Sequence, residues 1–358
     1  MNNKLIISLL AILLISGCNQ NQSKPDYRNF QPEEKIELPL NTGTCYYETS
    51  MKTEEISYVR NLADQVLQYF KHQEYGRIKP FLTEDFKKSL ETKGIEEKKL
   101  DVFLPGASTI LPAMPQFELI SLYEVKTNPK STEISGFCND AHNDLERSVY
   151  YKFNNPSEDE VNIFMLSRRA ATSASLNLDI RKINGQWLIN NISVYPGGAA
   201  GKTSFNLYQI ASQLEQEGND LPAYLYYDLI TSYTPVNDVI PTYIANSYQS
   251  ISKLKEKIDI PGPKENEIQD WQIEPEYYLP VYRLKILPVK DKLVLLLGYI
   301  TETDDMQENN YEAQMLAKYV VKHYPVLANY FSDLIIEATF DVPTDTKYQR
   351  YATSHKLQ

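Results

Sequence analysis

Between residues 54 and 71, apolar positions recur at spacings of three and four: Ile56, Val59, Ala63, Val66, Leu67 and Phe70. That period lays one apolar stripe along a helix. Gly76 breaks the pattern. "RIKPFLTEDFKKSL" follows, with Thr83 placed to cap a second, short helix and Glu84 and Asp85 suited to its first turn. Residues 104–115, "LPGASTILPAMP", carry three prolines and a glycine and read as a loop. From Phe117 the period shortens to two. "FELISLYEVK", "STEISGFC", "RSVYYKF", "VNIFMLS", "ATSASLNLDIRK" and "QWLINNISV" are rich in β-branched and aromatic residues and bounded by turn formers. Leu176, Leu178 and Ile180 alternate onto one face, and Asn184-Gly185 predicts a tight hairpin, because both residues tolerate positive φ.

After Gly201 the period is helical again, through "FNLYQIASQLEQEGNDLPAYLYYDLITSYTP" and a further helix around Ala245 and Tyr248. "DIPGPKENE", residues 259–267, is a linker by composition. Beyond it, "YRLKILPV" and "KLVLLLGYIT" pair around Lys290-Asp291. "NNYEAQMLAKYVVKHY" forms a helix with Ala313, Leu316, Ala317 and Val320 inward, and "SDLIIEATFDV" adds a strand. The tail "PTDTKYQRYATSHKLQ" is expected to be loose. Helices followed by a long meander make an α+β plan.

Two stretches resemble known folds. The first helix, the segment "YFKHQEYGRIKPFLTEDF" and the closing hairpin "INGQWLINNISV" make residues 54–196 similar to the nuclear-transport-factor-two-like fold. That resemblance implies a curved, cone-like sheet wrapped around the long helix. Ala211, Gly218, Ala223, Tyr227 and Pro235 sit where a tetratricopeptide repeat has its small, turn, aromatic and proline positions. Small residues there let two helices approach closely. Only one such hairpin is complete, so 203–258 is expected as a helical hairpin region and 270–345 as a small C-terminal α+β domain.

The N-terminus carries an address. Lys4 precedes an apolar run from Leu5 to Ile15, too short to cross a bilayer comfortably and suited to a secretory signal. Ile15-Ser16-Gly17-Cys18 resembles the bacterial lipobox. The resemblance implies removal of residues 1–17 and acylation of Cys18, and Asn19 after the cysteine implies sorting to the outer membrane, facing the periplasm. Residues 18–44 are polar, contain prolines, and read as a flexible tether. With Cys18 assigned to lipid, Cys45 and Cys138 remain in an oxidising compartment; a disulfide is expected, with two separate buried thiols as the alternative. Loss of Lys4 takes the formal charge from −11 to −12, which argues against a nucleic-acid partner.

The chemical candidates are few. "YPGGAAGKTS", residues 195–204, imitates a phosphate loop, but the position five before Gly201 is Pro196 where the motif needs glycine. An exported chain also meets little nucleotide. The stretch reads as a glycine-rich joint between domains. "CNDAHNDLE" gathers Cys138, Asp140, His142, Asp144 and Glu146, and "TETDDMQENN" offers Asp304, Asp305 and Glu308. Neither has the spacing of a metal site, and Asp before a helix is more simply a cap. No nucleophile motif surrounds His72, His142, His323 or His355. Among the 27 tyrosines, Tyr123, Tyr150 and Tyr151 are the candidate lining of a pocket in the cone-like domain. The expectation is therefore a non-catalytic lipoprotein, anchored to the membrane through Cys18, without cofactor or metal, binding an envelope protein or ligand. The alternative is an enzyme or small-ligand carrier using an apolar pocket in the cone.

Overall fold

The computed structural model describes residues 44–48, 51–72, 74–91, 116–127, 131–140, 144–157, 159–168, 172–234, 238–262, 267–343 and 350–357. The signal segment, Cys18, the tether, His142 and the 104–115 loop lie outside the described residues. The fold is α+β, built on a strongly curled, half-barrel antiparallel sheet with further smaller sheets. The chain forms two compact units, one drawn from residues 24–206 with 230–249, the other holding 207–229 with 250–358.

In the first unit, helix α1 (Thr53–Lys71) buries Val59, Leu62, Ala63, Val66 and Phe70. They pack on the curled sheet, whose order is β1 (Thr44–Tyr47), β2 (Glu118–Lys126), β5 (Asp159–Arg168), β6 (Thr172–Ile183), β7 (Gln186–Ala199), β8 (Lys202–Thr203). Leu122, Ile163, Leu176, Leu178, Ile180, Ile189 and Ile192 form the facing wall. Strand parity survives a bulge between Asp179 and Ile180. Beside it, the Thr83 backbone donates to the Ile189 carbonyl at 2.9 Å, which docks helix α2 (Glu84–Glu91). The Thr83 hydroxyl accepts from Phe86 N at 3.2 Å, the cap its sequence position suggests. Asn184 and Gly185 take φ of 51° and 79°, as their hairpin requires.

The strands between β2 and β5 do not continue the meander. β3 (Glu133–Cys138) and β4 (Val149–Asn154) form a second sheet with β9 (Val239–Pro241), in the order β3-β4-β9. The reason is the outer face of β2. Tyr123 and Val125 point away from α1 and need cover, and they pack with Ile134, Cys138, Val149, Tyr151, Phe153 and Val239. A disulfide, Cys45–Cys138, ties β1 to β3 across a Cα separation of 5.8 Å.

"YPGGAAGKTS" is sheet, not connector. Pro196–Ala199 completes β7, and Ala200-Gly201 turn into β8 with φ of 51° and 72°. A Cβ on Gly198 would overlap the Lys202 carbonyl oxygen. These glycines serve close strand approach rather than phosphate.

Helices α3 (Ser204–Gln216), α4 (Asp220–Thr231) and α5 (Thr242–Lys255) follow, α3 and α4 joined through Gly218 at φ 77°. The second unit holds a five-stranded sheet, β10 (Gln269–Glu274), β11 (Tyr277–Val289), β12 (Lys292–Ile300), β13 (Asp333–Thr339) and β14 (Arg350–Lys356), in that order. β12 and β13 are parallel, connected by helix α6 (Met306–His323), whose N-cap Asp305 accepts from Gln307 N at 2.6 Å. The tail departs from expectation. Arg350–Lys356 pairs residue for residue with β13, its alternation hidden by a polar composition. Among the described residues, no helix is long and apolar enough to cross a membrane.

Leu178 is fully buried between α1 and the sheet. Leu178→Ala should lower unfolding free energy by about 2–5 kcal/mol in a urea titration; a change near zero would mean this wall is not packed as described.

Candidate functional site: a buried polar seam on strand β6

Alternation along β6 sends Leu176, Leu178 and Ile180 toward α1 and leaves Ser175, Asn177, Asp179 and Arg181 on the other face. Such a face is ordinarily wet. Here Ser175, Asn177 and Asp179 are buried, with β9 lying against Asn177. Asn177 Nδ2 donates to the Val239 carbonyl at 3.1 Å. Register places the neighbours: Asn162 of β5 opposite Asp179, Glu160 opposite Arg181, and Ser193 and Tyr195 of β7 opposite Asn177 and Ser175.

Asn162 is the hub. Its Nδ2 donates to Asn177 Oδ1 at 2.5 Å and to Asp179 Oδ1 at 2.6 Å. Arg181 Nε donates to Glu160 Oε2 at 3.0 Å, and its Nη2 lies 3.9 Å from Asp238 Oδ2, at the start of β9. Glu160 Oε1 also accepts from Ser157 N at 2.7 Å. Three carboxyls, Glu160, Asp179 and Asp238, thus share one guanidinium. Full ionisation would leave more negative than positive charge in this layer, with Glu160 and Asp179 buried and Asp238 half-buried, which the interior disfavours.

Protons relieve the imbalance. Burial pushes Glu160 up to about 7, with Arg181 and the Ser157 amide opposing. Burial, then the charge of Asp238, holds Asp179 well above the usual carboxylate range. Asp238 is raised by burial and drawn back by Arg181. Tyr195, beside Ser175 and Asn177, is kept protonated mainly by burial. Asp179 Oδ2, Asn162 Oδ1 and Ser193 Oγ are buried and have no hydrogen-bond partner among the described residues. Such atoms are sites for ordered water or a polar ligand. Chemically, the seam can hold, release and share protons.

The tyrosines singled out from sequence fall elsewhere. Tyr123 lies 5.2 Å from the Tyr47 ring, Tyr151 stacks on Phe153 at 5.4 Å, and both belong to the small core under β3 and β4. Tyr150 is half-buried, 5.2 Å from Phe137. The fold brings Tyr123 and Tyr151 together as packing and leaves Tyr150 apart. Burial raises the hydroxyl pKa of all three. The seam supplies buried acids, Glu160 and Asp179, that the sequence analysis did not single out. Its signal was present as Ser-x-Asn-x-Asp-x-Arg on alternate positions of β6, a pattern that reads as a solvent face until β9 is placed.

The second unit has a cleft of about 320 Å³ lined by Leu221, Ile258, Asp259, His323, Tyr324, Pro325 and Val326. Behind it, Trp271 stacks on Tyr319 at 4.7 Å and Tyr319 on His323 at 4.1 Å. Tyr324 is pushed up to about 12 by burial, with Tyr319 and Asp259 adding to it. Comparison with protein-family models, with curated proteins and with solved structures yields no match.

Arg181→Met should cost about 3–5 kcal/mol of stability at pH 8, where it strands the Glu160 carboxylate. The loss should shrink at pH 5, where Glu160 holds its proton. Chemical denaturation at the two pH values measures it, and an equal loss at both would contradict the assigned charge balance.

Proposed function

We propose that this chain is a lipid-anchored, non-catalytic lipoprotein of the outer membrane, facing the periplasm and binding an envelope protein or ligand. The Cys45–Cys138 disulfide carries the reading. Such a bond persists in oxidising compartments, which is where the apolar run Leu5–Ile15 and the sequence Ile15-Ser16-Gly17-Cys18 would send the chain. Several acyl chains on Cys18 would satisfy the rule that stable anchoring takes more than one chain. The apolar-walled cleft at Leu221, Ile258 and Tyr324 supports a binding role, since it offers shelter to an apolar group with Asp259 nearby.

A second reading, a small-ligand carrier or enzyme, draws on the unpartnered atoms of the seam. It differs from the sequence-based version in one respect: the groups that could do chemistry line a polar layer under β9, not an apolar pocket.

Radiolabelled palmitate should enter the wild-type protein in cells and be absent from Cys18→Ser; label in both would overturn the anchor. In-cell crosslinking should then return one reproducible envelope partner for the wild type and lose it with Cys18→Ser. No reproducible partner across repeated trials would count against the binding role.

A further inference from the structure

The cleft of the second unit joins a stack of rings to a carboxylate. Tyr319 and His323 stand four residues apart on α6 and are therefore neighbours on its surface. Trp271 of β10 stacks on Tyr319 at 4.7 Å and 21°, and Tyr319 stacks on His323 at 4.1 Å and 22°. The stack begins buried at Trp271 and ends at His323, which is exposed and lines the cleft. Tyr319 covers one face of the imidazole; among the described residues no ring covers the other.

Asp259 is tied to the same stack. Trp271 Nε1 donates to Gln269 Oε1 at 3.0 Å, and Gln269 Nε2 donates to Asp259 Oδ1. One side-chain amide thus sets the acid relative to the rings. Asp259 is exposed, and its Oδ2 has no hydrogen bond or ion pair among the described residues. Leu221, Ile258, Pro325 and Val326 supply apolar wall, and no lysine or arginine lines the cleft. All these residues belong to one compact unit.

We propose that this cleft binds a small planar aromatic amine, its ring stacking on His323 within the apolar wall and its ammonium pairing with Asp259.

Each part of the site selects one property. An apolar slot alone accepts any apolar group, but an open ring face at the end of a stack favours a flat one. The carboxylate selects charge. With no cation in the lining, an anionic ligand meets repulsion that nothing offsets, and the chain's formal charge of −11 adds to it. A volume of about 320 Å³ lies at the small end of ligand sites and suits a compound of one or two rings. The ligand class rests on the reading of this cleft as a binding site and narrows what it takes.

Calorimetric titration of the full chain with tryptamine tests the class. Indole-3-acetate keeps the ring and reverses the charge; 2-cyclohexylethylamine keeps the ammonium and loses the flat ring. Tryptamine should bind about tenfold more tightly than either, as expected for one charge-assisted contact or one stacked ring. It should also shift the Leu221 and Ile258 methyl resonances through its ring current. Asp259→Asn keeps an acceptor for Gln269 and should weaken tryptamine about tenfold. His323→Ala should weaken it about threefold or more. Both positions are exposed, so the fold tolerates the changes. Absence of tryptamine binding at millimolar concentration overturns the proposal, and so does binding that both variants leave unchanged. Equal binding of the three compounds, with the methyl shifts present, overturns the aromatic-amine class while keeping the cleft as a binding site. Absence of binding by all three removes the cleft from the binding role as well.

Discussion

Strand β6 is buried on both faces, and different forces hold the two. Toward α1, Leu176, Leu178 and Ile180 join a continuous apolar core in which burial is favourable by itself. Toward β9, Ser175, Asn177 and Asp179 are buried without that help. A polar group taken from water must be repaid by hydrogen bonds or by a proton. Asn162 repays part through two short bonds, Arg181 repays part through Glu160, and Asp179 retains an unpartnered oxygen. The polar face meets β9 through the Asn177–Val239 bond, while the Val239 side chain is buried in the apolar cluster with Tyr123 and Val125. The disulfide and the Tyr123–Tyr151 core, which includes Val239 of β9, secure the β3-β4-β9 sheet from the other side.

The second unit shows what a fully satisfied buried acid looks like. Glu312 on α6 accepts from Tyr277 at 2.5 Å, Tyr299 at 2.9 Å and Thr301 at 3.3 Å. Glu337 of β13 accepts from Arg350 of β14 at 2.8 Å and from Tyr282 at 3.4 Å. Tyrosine, with a large apolar ring and one donor, suits such positions, and its abundance in this chain is used there for internal satisfaction more than for lining a pocket. Complete networks of this kind rigidify; incomplete ones, like that around Asp179, keep capacity for a proton or a bound molecule.

Much of the fold was legible in the sequence. The stripe on α1, the Thr83 cap, the six strands from Phe117, the Asn184-Gly185 turn and the pairing around Lys290-Asp291 all depend on short-range rules, and all appear. What failed depended on distant partners. β14 is too polar to show a period on its own and is a strand because β13 offers an edge. Leaving the meander, β3 and β4 cover Tyr123 and Val125, a need visible only once β2 is placed. The candidate site was the least legible part. Asn177, Asp179 and Arg181 alternate with leucine and isoleucine as exposed residues do, and the segment that meets Asn177 and Arg181, Asp238–Pro241, lies far along the chain. The phosphate-loop imitation failed for a local reason, since Pro196 and the Ala200-Gly201 turn belong to a hairpin.

The central claim is that burial holds Asp179 above the ordinary carboxylate range in the folded protein. Its side-chain carboxyl carbon, followed by NMR against pH in the full chain and assigned by comparison with Asp179→Asn, measures this directly. The account requires the resonance to remain that of a protonated carboxyl throughout the ordinary carboxylate range and to titrate above it. A resonance that moves to the ionised position within the ordinary carboxylate range would contradict it.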